Sequence, residues 1–219
     1  MNLSIAPSII AAEISNIDNI IKKINESQAD VIHIDIMDGH FVPNIAIGFD
    51  IVNFLLKYSI KPLEVHLMVT NPNDYVDKLE KLKIKNMIVH YEAIINDFSI
   101  LEKIKKTNMK VGIALNPNTA ISVLLKNNII QYIDIVLIMS VYPGFSGQKF
   151  ITKTSYDKLY ELNKIKKKYN FKIEIDGGIN MTNIDYLIQY NPDILVIGKS
   201  IFHKYDQIIS KINYFKNIM

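Results

Sequence analysis

Eight short runs rich in β-branched and other apolar residues recur along the chain, and they constrain its fold more than any other feature. They occupy residues 4–10, 31–37, 63–69, 86–90, 110–115, 133–139, 172–176 and 194–197. Longer amphipathic segments typical of helices lie between successive runs. This alternation predicts repeated βα units built around a parallel sheet.

The number and spacing of the runs favour a closed barrel over an open sheet. Eight runs in 219 residues leave about 27 residues for each unit, enough for a strand, a helix and two short loops. An open, doubly wound sheet is the alternative, but no Gly-x-Gly-x-x-Gly motif follows the first run. Polar residues also gather near the C-terminal ends of several runs, where barrel enzymes place their active sites. We therefore predict an α/β fold, a single (β/α)8 TIM barrel with a parallel eight-stranded core, and one domain over residues 1–219.

The composition limits the partners and the chemistry. All 25 basic residues are lysine, and 22 acidic residues reduce the net charge to +3. The lysines cluster where helices are expected to end rather than in one stripe, so we expect no nucleic-acid partner. Cysteine is absent, which excludes thiolate metal sites and a cysteine nucleophile. Because arginine is absent too, an anionic substrate has to be held by lysine or by backbone amides.

The distribution of apolar residues gives no sign of a membrane or a secretory signal. No uncharged apolar run reaches the ~18 residues of a membrane span. Residues 1–8 lack a basic region followed by an apolar stretch. We expect a cytoplasmic protein that does not bind membranes.

Histidine and aspartate recur at the ends of three runs. Period-two alternation places His33 and Asp35 on one face of the second strand, together with Met37. His66 lies on the neighbouring third strand, and Asp176 ends the seventh. Two histidines and two aspartates form a ligand set suited to one divalent cation, whether Zn, Fe, Mn or Co. A buried ion pair is the alternative interpretation of the residues on the second strand.

Glycines follow three consecutive strands near the end of the chain. Gly144 and Gly147 follow the sixth strand, Gly177 and Gly178 the seventh, and Gly198 the eighth. In barrels the loops after the last strands often bind phosphate through backbone N–H groups at the start of a short helix. Each glycine alone is more typical of a turn, but three sets at consecutive strand ends favour a phosphate site.

Five ordered motifs closely resemble the ribulose-phosphate 3-epimerase family. They are residues 6–10 (APSII), 33–44 (HIDIMDGHFVPN), 66–69 (HLMV), 139–148 (MSVYPGFSGQ) and 176–179 (DGGI). The resemblance extends from residue 4 to about residue 202. It implies a (β/α)8 barrel that interconverts D-ribulose 5-phosphate and D-xylulose 5-phosphate at C3, in the pentose phosphate pathway. It also implies one divalent metal cation, a cis-enediolate intermediate and a homo-oligomer.

The resemblance also assigns residues, each at a position that matches a family motif. The metal ligands would be His33, Asp35, His66 and Asp176, and Asp35 and Asp176 would also be the catalytic acid/base pair. The substrate would contact Ser8, Met37, His66, Met68, Met139, Gly144, Phe145, Ser146, Gly147, Gly177, Gly178, Gly198 and Lys199. Residues 142–150 are expected to close over the bound sugar phosphate. His90, which ends the fourth run, is expected to join the polar layer without a catalytic role.

Three residues depart from the family pattern, and three other functions compete. Tyr142 replaces a small polar or acidic residue, Ser146 a glycine, and Lys199 a serine or threonine. Lys199 either adds a cation to the phosphate site or points outwards while its amide binds.

D-allulose 6-phosphate 3-epimerases share the same motifs and are the nearest alternative, and a non-catalytic sugar-phosphate-binding barrel is a remoter one. The orotidine phosphate decarboxylase type requires Asp-x-Lys-x-x-Asp, and Met37 stands where that lysine would be.

Overall fold

Eight parallel strands form a closed barrel, and a short ninth strand lies antiparallel at its rim. The computed structural model describes residues 3–126 and 128–218. Within these ranges the strands are β1 Ser4–Pro7, β2 Ile32–Asp38, β3 Ile45–Ala46, β4 Leu63–Met68, β5 Asn86–His90, β6 Lys110–Leu115, β7 Ile135–Met139, β8 Lys172–Asp176 and β9 Ile194–Ile197. Their order in the sheet is β1-β9-β8-β7-β6-β5-β4-β2-β3, with β3 antiparallel to β2. A parallel bridge between Ser8 and His33 joins the end of β1 to β2 and closes the ring.

Helices cover the outside of the barrel. They are α1 Ile17–Glu26, α2 Phe49–Tyr58, α3 Val76–Lys81, α4 Tyr91–Ile94, α5 Ser99–Lys105, α6 Ser122–Lys126, α7 Thr152–Tyr169, α8 Ile184–Leu187, α9 Lys199–Phe202 and α10 Ile208–Lys216. Helix α1 shows why they pack there, since its isoleucines at 17, 20, 21 and 24 share one face and are all buried. Among the described residues, no helix combines the length and apolarity that a bilayer crossing requires.

Alternation along the strands separates an apolar outer layer from a polar interior near the barrel mouth. On β2, Ile34 and Ile36 join the large apolar core between sheet and helices, whereas His33 and Asp35 face the barrel interior. The parallel register pairs Asp35 with His66 on β4. The strands therefore deliver polar side chains from different parts of the chain to one end of the barrel.

The predicted barrel is confirmed, with small differences at the strand ends. β1 ends at Pro7 instead of residue 10, because the chain turns into a 3-10 helix at Ile9–Ala11. β7 begins at Ile135 instead of residue 133, since the preceding residues Ile130–Tyr132 form another 3-10 helix. β3 has no counterpart among the predicted runs, because two residues are too few to show a period-two pattern.

Candidate active site

A cavity of about 860 Å³ opens at the C-terminal ends of the strands. It is lined by nearly all the residues predicted to act: Ser8, Asp35, Met37, Met68, Met139, Gly144, Phe145, Ser146, Gly147, Asp176, Gly177, Gly178, Gly198 and Lys199. The two predicted histidines, His33 and His66, are fully buried beside Asp35. The structure therefore brings the whole predicted set to one place.

Two imidazoles and two carboxylates converge at the base of this cavity. One potential ligand atom from each of His33, Asp35, His66 and Asp176 lies within 4.8 Å of the others. Asp35 Oδ1 is 3.1 Å from His66 Nδ1 and 3.4 Å from His33 Nε2. The two ring nitrogens are themselves 3.4 Å apart. Such a group of two nitrogen and two oxygen donors fits a single divalent cation.

The ring nitrogen of His33 that points away from Asp35 is anchored, which orients the ring toward the four-residue cluster. His33 Nδ1 lies 2.9 Å from Glu64 Oε1, and Asn86 Nδ2 donates a 2.6 Å hydrogen bond to Glu64 Oε2. An ionised carboxylate only accepts, so Nδ1 carries a proton, and Nε2 would offer its lone pair to a bound cation. Nε2 faces Asp35 and His66. A carboxylate behind a ligand histidine is the usual way to orient it toward a metal, and the residues present therefore fit the cation.

The carboxylates around His33 favour a positive charge at this site. Burial alone would lower the pKa of His33, but Asp35, Glu174 and Glu64 outweigh it and raise this pKa well above its usual range. Burial would raise the pKa of Asp35, yet its contacts with His33 and His66 lower it. The site therefore attracts a cation, whether a proton or a metal ion, and the two compete for the same donor atoms.

The pKa values of His66 and Asp176 are shifted in opposite directions. Burial lowers the pKa of His66 to about 4, so this ring is neutral near pH 7. Burial raises the pKa of Asp176 to about 7, and the nearby charge of Asp35 adds to the shift. Asp35 and Asp176 are thus two carboxyl groups with opposite preferences for a proton.

Glu174 lies deeper in the barrel, next to His33. Its Oε1 is 3.6 Å from His33 Nδ1, and neither carboxyl oxygen has a hydrogen-bond partner among the described residues. Burial and the charge of Glu64 raise the pKa of Glu174 well above its usual range. A protonated Glu174 avoids a second uncompensated charge beside Glu64.

Apolar and hydroxyl groups complete the base of the cavity. Met37, Met68 and Met139 line it and are almost fully buried, with 5%, 2% and 2% of their surface exposed. Ser8 Oγ donates a 2.7 Å hydrogen bond to Asp35 Oδ2, which fixes the orientation of that carboxylate. The base of the cavity therefore has an apolar part and a polar part.

The glycine loops form the opposite side of the cavity, where close backbone packing excludes side chains. Gly178 has φ +63°, and a Cβ there would lie 2.5 Å from the backbone nitrogen of Phe150. Gly177 has φ +120°, and a Cβ there would lie 2.5 Å from Val141 Cγ2. Lys199 lies across Gly147, since a Cβ at position 147 would be 3.1 Å from Lys199 Cδ. The lysine side chain therefore reaches toward the glycine loop at the cavity mouth.

Several residues in this region were not among the predicted site residues. Glu64 contacts His33 and accepts a hydrogen bond from Asn86. His90 and Glu92 continue outward from His66, and Gln148 donates to a carbonyl at the start of the glycine-rich loop. Glu64 shares a strand face with His66 by period two, and His90 ends a predicted run; these are the signals that the sequence contains. The contact of Glu64 with His33 depends on the register between β2 and β4, which the sequence of one strand does not contain.

Comparisons with known proteins agree with this architecture. The sequence profile of the Ribulose-phosphate 3 epimerase family matches residues 4–202. The ribulose-phosphate 3-epimerase of Bacillus subtilis (strain 168) is 37% identical over 208 residues, which cover 94% of each chain. That of Aquifex aeolicus (strain VF5) is 38% identical over 200 residues, covering 90% of this chain and 89% of the relative.

Solved structures with lower sequence identity share the fold. A mutant tryptophan synthase alpha-subunit from Pyrococcus furiosus superposes with a TM-score of 0.71 at 16% identity, covering 98% of this chain and 97% of the other. N-(5'-phosphoribosyl)anthranilate isomerase from Pyrococcus furiosus gives a TM-score of 0.65 at 13% identity, covering 99% of this chain and 100% of the other. These structural similarities show the fold alone, whereas the family profile and the two similar epimerases show the family. The chain belongs to the ribulose-phosphate 3-epimerase family and is an isomerase of the epimerase type.

Proposed function

We propose that this protein interconverts D-ribulose 5-phosphate and D-xylulose 5-phosphate by removing the proton on C3 and returning one to the opposite face. The observation that carries the proposal is the convergence of Asp35 and Asp176 on one point of the cavity. They extend from β2 and β8, which are separated in the ring by β9 and β1. Two carboxyl groups that approach one point from different strands suit proton transfer on two faces of a planar intermediate.

The two aspartates have complementary tasks in this mechanism. One carboxylate removes the C3 proton, which leaves an enediolate, and the other carboxyl group donates a proton to the opposite face. The tasks exchange when the reaction runs in reverse. Ser8 holds one oxygen of Asp35, so that carboxylate needs little reorganisation as the proton moves.

His33, Asp35, His66 and Asp176 would hold one divalent cation of the Zn, Fe, Mn or Co type. When bound, the cation supplies Lewis-acid stabilisation of the negative charge that develops on the substrate oxygens. Each aspartate has two oxygens, so ligation by one leaves the other available for proton transfer. Glu64 keeps the His33 ring oriented throughout.

The rest of the cavity has a binding role in the proposal. Met37, Met68 and Met139 form an apolar, polarizable wall that excludes water from the enediolate. The phosphate would lie among Gly144, Phe145, Ser146, Gly147, Gly177, Gly178 and Gly198, whose backbone N–H groups replace the missing arginine. Lys199, which lies across Gly147, would add a positive charge at the same end.

Turnover of two sugar phosphates tests the proposal. Purified protein supplied with a divalent cation is assayed on D-ribulose 5-phosphate and on D-allulose 6-phosphate, with product identified by NMR. We expect kcat/KM to be at least about 10-fold higher for the pentose, the discrimination that one extra carbon unit usually allows. A higher kcat/KM for the hexose would contradict the pentose assignment. Binding of both compounds without turnover would indicate a non-catalytic barrel instead.

A further inference from the structure

A second line of buried polar groups leads outward from His66 and has no role in the mechanism described above. His90, at the end of β5, is fully buried, and its Nε2 lies 2.9 Å from His66 Nε2. The two rings stack with centroids 4.9 Å apart and planes inclined by 24°. His90 Nδ1 in turn lies 3.2 Å from Glu92 Oε2.

Glu92 ends this line and is itself tied to the loop that follows β6. Its Oε1 accepts a 3.0 Å hydrogen bond from the backbone N–H of Asn116 and another from the Thr119 hydroxyl. Burial would raise the pKa of Glu92, but hydrogen bonds from His90 and Thr119 lower it. Glu92 is therefore an ionised group that only accepts hydrogen bonds, and a backbone amide fixes its position.

The groups at the two ends of this line determine where its protons lie. Glu92 only accepts, so His90 Nδ1 carries a proton, and Asp35 likewise holds a proton on His66 Nδ1 as long as no cation is bound. A cation bound by Asp35 and His66 would replace the proton between them. With both rings then neutral, His90 Nε2 accepts from His66 Nε2, and the lone pair of His66 lies on Nδ1.

We propose that Glu92 and His90 are positioning residues that fix the tautomer and the ring orientation of His66, so that Nδ1 is ready to bind the cation. This inference rests on the proposed metal site. Both histidines then have a carboxylate that orients them. His33 contacts Glu64 directly, and His66 is connected to Glu92 through His90. A histidine ligand with its second nitrogen anchored in this way binds metal more tightly.

The proton positions are tested first in unaltered protein loaded with Zn²⁺. Long-range ¹H–¹⁵N NMR distinguishes the two ring nitrogens of each histidine. We expect the proton on Nδ1 of His90 and on Nε2 of His66. A proton on Nε2 of His90 would overturn the proposal, and this measurement needs no substitution.

The second test measures Zn²⁺ affinity by competition with a chromophoric chelator. Glu92→Gln keeps the size of the side chain, but with its oxygen toward Asn116 it presents an NH₂ group to His90 and reverses the tautomers. We expect its Zn²⁺ dissociation constant to rise about 10- to 100-fold, the usual cost of losing a residue that orients a ligand. Glu102→Gln is the matched control, because exposed Glu102 also accepts a hydrogen bond, from Tyr132, far from the site.

Substitutions of His90 separate positioning from packing. The side-chain oxygen of Gln in His90→Gln can accept from His66 Nε2, whereas His90→Leu cannot. We therefore expect His90→Gln to retain more Zn²⁺ affinity than His90→Leu at similar unfolding temperatures. Equal Zn²⁺ affinity of Glu92→Gln and unaltered protein would overturn the positioning role of Glu92 and His90 alone. Absence of Zn²⁺ binding by unaltered protein would overturn the metal site and that positioning role together.

Discussion

Three groups surround the carboxylate of Asp35: Ser8, which directly follows β1, His66 of β4 and His33 of its own strand β2. Ser8 Oγ, His66 Nδ1 and His33 Nε2 lie 2.7, 3.1 and 3.4 Å from its oxygens. Asp176, in contrast, has a pKa raised to about 7 by burial and by the charge of Asp35. Such a pair of unlike carboxyl groups is typical of acid/base sites.

Replacement of either aspartate by asparagine removes a group that can exchange protons while it keeps the size of the side chain. We expect kcat to fall at least about 100-fold for Asp35→Asn and for Asp176→Asn, since positioned acid/base groups contribute that much or more. Each variant should still exchange the C3 proton of one epimer with solvent, which ¹H NMR in deuterium oxide detects. Asp18→Asn, in the first turn of α1, is the control. Near-normal epimerisation by either variant would refute the two-aspartate assignment.

Gly178 allows a second prediction about a single residue. Alanine at this position combines φ +63° with a Cβ 2.5 Å from the backbone nitrogen of Phe150. We expect Gly178→Ala to lose at least about 1–3 kcal/mol of unfolding free energy, the usual cost of such strain, and to raise KM for the sugar phosphate. Gly48→Ala is the control, because a Cβ at position 48 meets nothing within 4 Å. Equal denaturation midpoints for the two variants would contradict this account of the glycine loop.

At the scale of elements, the loop from residue 142 to residue 150 is already organised by its own side chains. Gln148 Nε2 donates hydrogen bonds of 2.6 Å to the Tyr142 carbonyl and 2.9 Å to the Phe145 carbonyl. Asn44 Nδ2 donates a 2.7 Å hydrogen bond to the Gly144 carbonyl. The loop is thus tethered to the loop after β2, while Phe145 stays 55% exposed at the cavity mouth.

We predict that this loop closes over the bound sugar phosphate and shields the enediolate from water. Hydrogen exchange of residues 142–150 should slow in saturating xylulose 5-phosphate, while exchange in α5 stays the same. Gln148→Ala should raise KM more than it lowers kcat, because the loop then has to be ordered on binding. Gln189→Ala, which removes an exposed hydrogen bond to the Asp185 carbonyl, is the control. Unchanged protection at saturating ligand would exclude a lid.

The elements also show which features a sequence can predict. Period-two alternation places His33, Asp35 and Met37 on one face of β2, and the barrel follows from the eight runs. The role of Glu64 requires the pairing of residue 33 with residue 64, which exists only once β2 and β4 are in register. The role of Glu92 likewise requires a contact with the loop after β6. Local patterns therefore predict the strands and the convergent ligands, whereas the groups behind those ligands depend on tertiary register.

At the scale of the whole molecule, closure of the barrel makes the site. The bridge between Ser8 and His33 joins the first strand to the second, so that Ser8 reaches Asp35. Near the other end of the barrel, Lys216 of α10 binds Asp30, whose carboxylate also accepts from the Ile5 amide. Helix α10 is thus fastened to the segment before β2, and that segment to β1. The homo-oligomer and the cytoplasmic location expected from the sequence stay predictions.

Removal of divalent cations should abolish activity because the proposed stabilisation of the enediolate depends on the ion. We expect kcat to fall at least about 100-fold in protein shown by elemental analysis to be metal-free, several kcal/mol being the usual Lewis-acid contribution. Zn²⁺, Mn²⁺, Fe²⁺ or Co²⁺ should restore it. Protein treated with chelator already saturated with metal is the control. Full activity of the metal-free protein would contradict the proposed role of the site.

The fate of the C3 proton is the most direct test of the central claim. Metal-loaded protein is incubated with D-ribulose 5-phosphate in deuterium oxide, and the sugar is followed by ¹H NMR. Proton removal by one aspartate and return by the other predict that D-xylulose 5-phosphate forms with deuterium at C3 and protium at every other carbon-bound position. Formation of xylulose 5-phosphate that retains protium at C3, or exchange at another carbon, would contradict it.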